Sequence, residues 1–112
     1  MAKDRIIRIN DNLKKEIATY IQNSNLRDDI GFLSVNHVDT SRDLSGAKVF
    51  ISSFQTDKTN EEIIKILNDN SWRIRKELGN ILPLKKVPEL KFYYDEHLEK
   101  VRHIDNLIKD SS

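Results

Sequence analysis

Thr59-Asn60-Glu61-Glu62-Ile63-Ile64-Lys65-Ile66-Leu67-Asn68-Asp69-Asn70-Ser71-Trp72-Arg73-Ile74-Arg75-Lys76-Glu77-Leu78 reads as two helical pieces that share one apolar stripe. Thr59 and Glu62 have the spacing of a capping box, in which hydroxyl and carboxylate satisfy backbone donors at a helix start. Ile63, Ile64 and Leu67 follow as a buried side, and Leu67, Ile74, Leu78 and Ile81 hold one phase across the interval between the pieces. That interval, Asn68-Asp69-Asn70-Ser71, is rich in short polar side chains that compete for backbone hydrogen bonds. The pattern therefore predicts a helix broken or bent near Asn70, with Asn70 or Ser71 capping the second piece. Pro83 and Pro88 forbid a helix farther on, and Leu90, Phe92 and Tyr94 then alternate with Glu89, Lys91 and Tyr93 as in a strand.

Upstream, Ile6, Ile9, Leu13, Ile17 and Ile21 recur at helical spacing opposite Lys3, Arg5, Arg8, Lys14 and Lys15, and Asn23-Ser24-Asn25 ends this first helix. Alternation from Ile30 to Val38, and again in Ala47, Val49 and Ile51, predicts two neighbouring antiparallel strands joined by a polar turn. Downstream, Asp95 can cap a last helix with Leu98, Val101, Ile104, Leu107 and Ile108 on its apolar side; residues 110–112 read as a loose end. The order α-β-β-α-(kink)-α-β-α predicts an α+β fold with helices packed on one face of a three-stranded sheet. Helix-kink-helix followed by a strand suggests the second (type II) arrangement of the K-homology fold. Ordinary members of that fold clamp nucleotides with a Gly-x-x-Gly loop; here glycines stand only at 31, 46 and 79, so the clamp is missing.

With 112 residues the chain has the size of one domain, 1–112. It has no cysteine, which excludes disulfides, thiolate metal sites and cysteine nucleophiles. No apolar run reaches the roughly 20 residues of a membrane span, and the first ten residues lack a signal peptide's apolar stretch, so a cytoplasmic protein is expected. The formal net charge is only +1, yet between Trp72 and Phe92 six cations face two carboxylates. Affinity for nucleic acid depends on charge gathered on the contact face rather than on the total.

Val38-Asp39-Thr40-Ser41-Arg42-Asp43-Leu44-Ser45-Gly46-Ala47-Lys48-Val49-Phe50-Ile51 closely resembles the Val-x-x-Ser-x-Asp-Leu-x-x-Ala-x-Val-Tyr-Val segment of the ribosome-binding factor A family. Ile74-Arg75, Leu78-Gly79 and the run from Leu84 to Asp95 are similar to that family's Ile-Arg, Leu-Gly and Leu-Arg-x-x-Pro-Glu-Leu-x-Phe-x-x-Asp pattern. The resemblance implies a non-enzymatic assembly factor that binds the small (30S) ribosomal subunit and its 16S rRNA late in maturation, with a role in growth in the cold. No cofactor, metal, membrane or small-molecule substrate is implied, and a monomer is expected. The family's Ala-x-Gly kink aligns with Asn70-Ser71-Trp72, where both flanking residues depart; its Asp-Pro-Arg turn becomes Arg27-Asp28-Asp29, and Lys85 replaces an arginine.

The expected RNA-binding strip comprises Arg73, Arg75 and Lys76 with Lys85, Lys86 and Lys91, extended by Arg42 in the turn between strands and by Lys3, Arg5 and Arg8. Arg73 and Lys76 are helix neighbours, whereas Arg75 points elsewhere and is free to pair with a carboxylate. Asp43 reads as a turn-fixing residue. Trp72 could stack on an unpaired base but is expected in the core, as a lone tryptophan in a small domain more often is, and Tyr93 is expected as outer-face packing rather than as a contact. His97 and His103, six apart on one helix, do not share a face as metal ligands would, so no catalytic or metal site is expected. A protein-interaction module using the sheet's face or edge is the alternative reading.

Overall fold

The computed structural model describes residues 2–54 and 56–96. The elements are α1 (Ala2–Asn23), α2 (Leu26–Ile30), β1 (Phe32–Thr40), β2 (Gly46–Phe54), α3 (Asn60–Asp69), α4 (Ser71–Ile81) and β3 (Glu89–Tyr94). The last helix expected from Asp95 onward, with His97, His103 and the 110–112 end, lies outside the described residues. The short α2 was not expected: it holds Arg27-Asp28-Asp29 and delays the first strand to Phe32. Gly31, at φ 74°, makes the turn out of α2, a conformation glycine reaches without a Cβ clash.

The sheet order is β1-β2-β3. The β1–β2 pair is antiparallel, with Asn36 as an extra residue between Val35, opposite Ile51, and His37, opposite Phe50. β3 joins β2 in parallel, which the α3–α4 crossover makes possible. Buried side chains form one cluster in which Ile9, Leu13, Ile17 and Ile21 of α1, Ile63 and Leu67 of α3, and Ile74 and Leu78 of α4 meet the inward residues of all three strands. Those inward residues include Val38, Val49, Ile51, Leu90 and Phe92. The helices therefore cover one face.

Asn36 uses its extra place in the sheet. Its amide donates to Ser52 Oγ (3.2 Å) and Asp95 Oδ2 (2.9 Å), while its Oδ1 accepts from Ser34 Oγ (2.7 Å), tying the open faces of the strands together. At the other end of β1, Asn10 of α1 accepts from the Thr40 backbone N–H (3.0 Å) and hydroxyl.

Two burial expectations are corrected. Ile81 is 49% exposed, because the helix ends there; Leu82, with ψ 139°, leaves the helical phase and packs against the core instead. Trp72 is 59% exposed rather than buried. Two positions before Ile74, it stands about 200° around the helix from that core residue, a rotation the apolar phase already contained.

Candidate nucleic-acid interface

Asn70 ends one helix and begins the next. Its N–H is shared between the carbonyls of Ile66 (3.2 Å) and Leu67 (3.1 Å), and its own carbonyl accepts from the amides of Arg73 (3.1 Å) and Ile74 (3.2 Å). The side chain does not cap α4 as expected. Instead Nδ2 donates to Ile66 O (2.8 Å), closing α3, and no side chain caps the first turn of α4. Asn68 bonds in a different direction, toward the sheet. Its Oδ1 accepts from Phe92 N (2.8 Å) and its Nδ2 donates to Phe92 O (3.3 Å). One amide thus occupies both outward backbone groups of Phe92 on the β3 edge, and it fixes the kink against the sheet.

Several predicted cations converge on one end of the sheet. Glu89 N donates to Ser45 O (2.9 Å), bringing the β1–β2 turn that carries Arg42 beside the loop that carries Lys85 and Lys86. The Asn10–Thr40 bonds bring the N-terminal half of α1, with exposed Arg5 and Arg8, to the same end. Arg42, Lys85 and Lys86 are exposed as well. Lys3 lies in α1, its side chain outside the described residues. The parallel register adds Lys48 and Lys91, exposed side by side on the open face in a row with Asp39. Lys48 was not singled out from the sequence, since only the β2–β3 pairing makes it Lys91's neighbour.

The α4 cations divide differently. Arg75 is half-buried and donates from Nε to Val87 O (2.9 Å), a backbone carbonyl rather than the anticipated carboxylate, bracing α4 on the loop before β3. Arg73 is exposed, with its guanidinium carbon 5.1 Å from the Trp72 ring centroid. Lys76 is exposed. Among the described residues the one ion pair is Lys65–Asp69, so Arg5, Arg8, Arg42, Arg73, Lys76, Lys85 and Lys86 are not neutralised by a salt bridge there.

Two grooves flank the kink. The first, about 770 Å³, runs from the β1–β2 turn past Lys48 and Lys91 to Asn68 and Ser71, its two lysines balanced by Asp39 and Glu89. The second, about 710 Å³, lies between α1, α2 and α4 and sets Glu16, Asp29 and Glu77 against Arg73 alone, so a polyanion is disfavoured in it. On the open face His37, Phe50 and Tyr93 form an adjacent ring row, with centroids 5.8 and 5.5 Å apart. The expected outward Tyr93 is therefore stacked on Phe50.

The turn beside the first groove is held by Asp43. Its Oδ1 accepts from the Ser41 hydroxyl (2.8 Å) and from the Ser45 hydroxyl (2.7 Å) and N–H (3.1 Å). These donors, the Ser45 hydroxyl first, lower its pKa from 3.8 to about 2. Leu44 takes a left-handed φ of 63° in the same turn, the only described non-glycine residue to do so, and its side chain packs against the core.

A bent helical crossover between parallel strands, with an antiparallel strand alongside and no glycine clamp, defines a type II K-homology-like protein. The solved ribosome-binding factor A from Thermus thermophilus shares this fold at TM-score 0.68 and 24% identity, over 80% of this chain and 94% of that one. The family model for Ribosome-binding factor A matches residues 5–108, and the chain belongs to that family. A relative so named from Clostridium novyi is 38% identical, over 98% of this chain and 92% of its own length. One from Stenotrophomonas maltophilia is 31% identical over 95% and 83%. The Thermus thermophilus homology model fitted into the cryo-EM map of a 30S–RbfA complex is also similar, at TM-score 0.62 and 24% identity over 74% of this chain and 87% of that one.

Proposed function

We propose that this chain is a non-enzymatic assembly factor that binds the small ribosomal subunit through its 16S rRNA late in maturation, in support of rRNA processing and growth in the cold. It acts in the cytoplasm as a monomer, and binding without a chemical step is its whole activity. The observation that carries the reading is the gathering of Arg8, Arg42, Lys85 and Lys86 at one end of the sheet beside Lys48 and Lys91. Arg5, Lys3, Arg73, Lys76 and the outer part of Arg75 supply further phosphate contacts. Family membership supports the ribosomal partner, and the 30S–RbfA complex of the Thermus thermophilus protein supports the choice of subunit.

Phosphate contacts position a protein on RNA and release condensed counterions, which suits a factor that must hold a folded rRNA region and then leave. Strand addition at the β3 edge is the weaker alternative, because Asn68 already occupies the Phe92 backbone groups. Co-sedimentation with purified small subunits tests the proposal: the wild-type chain pellets with them, and a variant carrying R42E, K85E and K86E stays in the supernatant. Equal pelleting of both proteins would overturn it.

A further inference from the structure

Trp72 is the chain's single tryptophan, and it stands in water at the start of α4, immediately after Asn70 and Ser71. Large aromatic side chains gain stability on burial, and tryptophan is on average a largely buried residue. An indole left 59% exposed at the bend is open to contact from outside the free protein, and its neighbours decide what kind of contact it suits.

Its surroundings select the chemistry. Arg73 lies over the ring at 5.1 Å, and Lys76, four residues on, shares the helix face of Trp72. Glu77, the only carboxylate in α4, stands about 140° around the helix from Trp72 and lines the second groove. Ser71 lines the first groove, with Lys48 and Lys91. An aromatic plane flanked by Arg73 and Lys76, beside a groove in which Asp39 and Glu89 match Lys48 and Lys91, suits a ligand that offers a π-surface to the ring and phosphates to the two helix cations.

We propose that Trp72 is a stacking post for an unpaired base of single-stranded RNA, whose backbone passes Arg73 and Lys76. The inference rests on the RNA-binding reading and adds a base contact, and a preference for unpaired RNA, that phosphate contacts alone do not give. It also assigns a use to the residue that stands at the family's kink glycine.

The single tryptophan makes the test direct. The full chain is titrated with end-labelled oligoadenylate, with a perfectly paired RNA hairpin and with polyglutamate, following RNA anisotropy and tryptophan emission together. Oligoadenylate is expected to quench Trp72, the hairpin to bind with little quenching, and W72L to weaken oligoadenylate binding about 5- to 100-fold, with partial recovery in W72F. Circular dichroism checks that both variants are folded. Oligoadenylate binding with unchanged emission, or unchanged affinity in W72L, overturns the stacking post while leaving the phosphate-contact reading intact. No binding of either RNA removes both. Equal quenching by polyglutamate overturns the choice of RNA in favour of an acidic protein partner.

Discussion

Asn68 gives the free edge of β3 the two backbone hydrogen bonds that a fourth strand would otherwise supply at Phe92. Each such bond contributes about 1 kcal/mol net, so N68A should lower unfolding free energy by about 2 kcal/mol in urea titration. An Asp at this position keeps the acceptor and loses the donor, and should fall between the two. Asp43 makes a different prediction. Its pKa is depressed from 3.8 to about 2, so its stabilisation of the turn is complete above 3.8 and is lost as pH falls through about 2. NMR titration of its side-chain carboxyl should show a midpoint near 2, and a midpoint near 3.8 would mean that the Ser41 and Ser45 bonds do not form in solution. The Asp43 role was legible because its partners are two residues away; that of Asn68 was not, because its partner lies 24 residues downstream across a sheet edge.

At the level of elements, periodicity read the helices best where one side meets the core along its whole length. Ile9, Leu13, Ile17 and Ile21 are buried, and Ile6, near the free end of α1, only half so. The Thr59 half of the expected capping box forms, with Glu62 N donating to Thr59 Oγ1 (3.2 Å), while the Glu62 carboxylate accepts from the Thr59 hydroxyl (3.2 Å) rather than from a backbone N–H. T59A should cost about 1 kcal/mol, read as a lower urea midpoint with unchanged slope. The bend at Asn70 was also legible, since four short polar residues interrupt an unbroken apolar phase. How Asn70 makes it was not: both helix ends offer it partners, and its amide goes to the carbonyl of Ile66 rather than to α4. The short α2 was hidden by its five-residue length, too brief for a period to show.

For the whole molecule, what matters is which cations the topology gathers. Arg8, Arg42, Lys85 and Lys86 come from separate segments, and the hairpin and the α3–α4 crossover between β2 and β3 bring them to one end of the sheet. The sequence showed the local excess in residues 72–92 but overweighted α4, where Arg75 braces a loop and Arg73 borders an acidic groove. It also missed Lys48, whose place depends on a parallel register that no local pattern encodes. A chain carrying almost no net charge can bind a polyanion only if this gathering is real, and salt reads it directly. The deciding measurement is the affinity of the wild-type chain for small-subunit precursor particles across a series of salt concentrations. Four to six phosphate contacts predict a slope of log affinity against log salt of roughly −3 to −5, shallower in the R42E/K85E/K86E variant. A wild-type slope near zero would contradict the account.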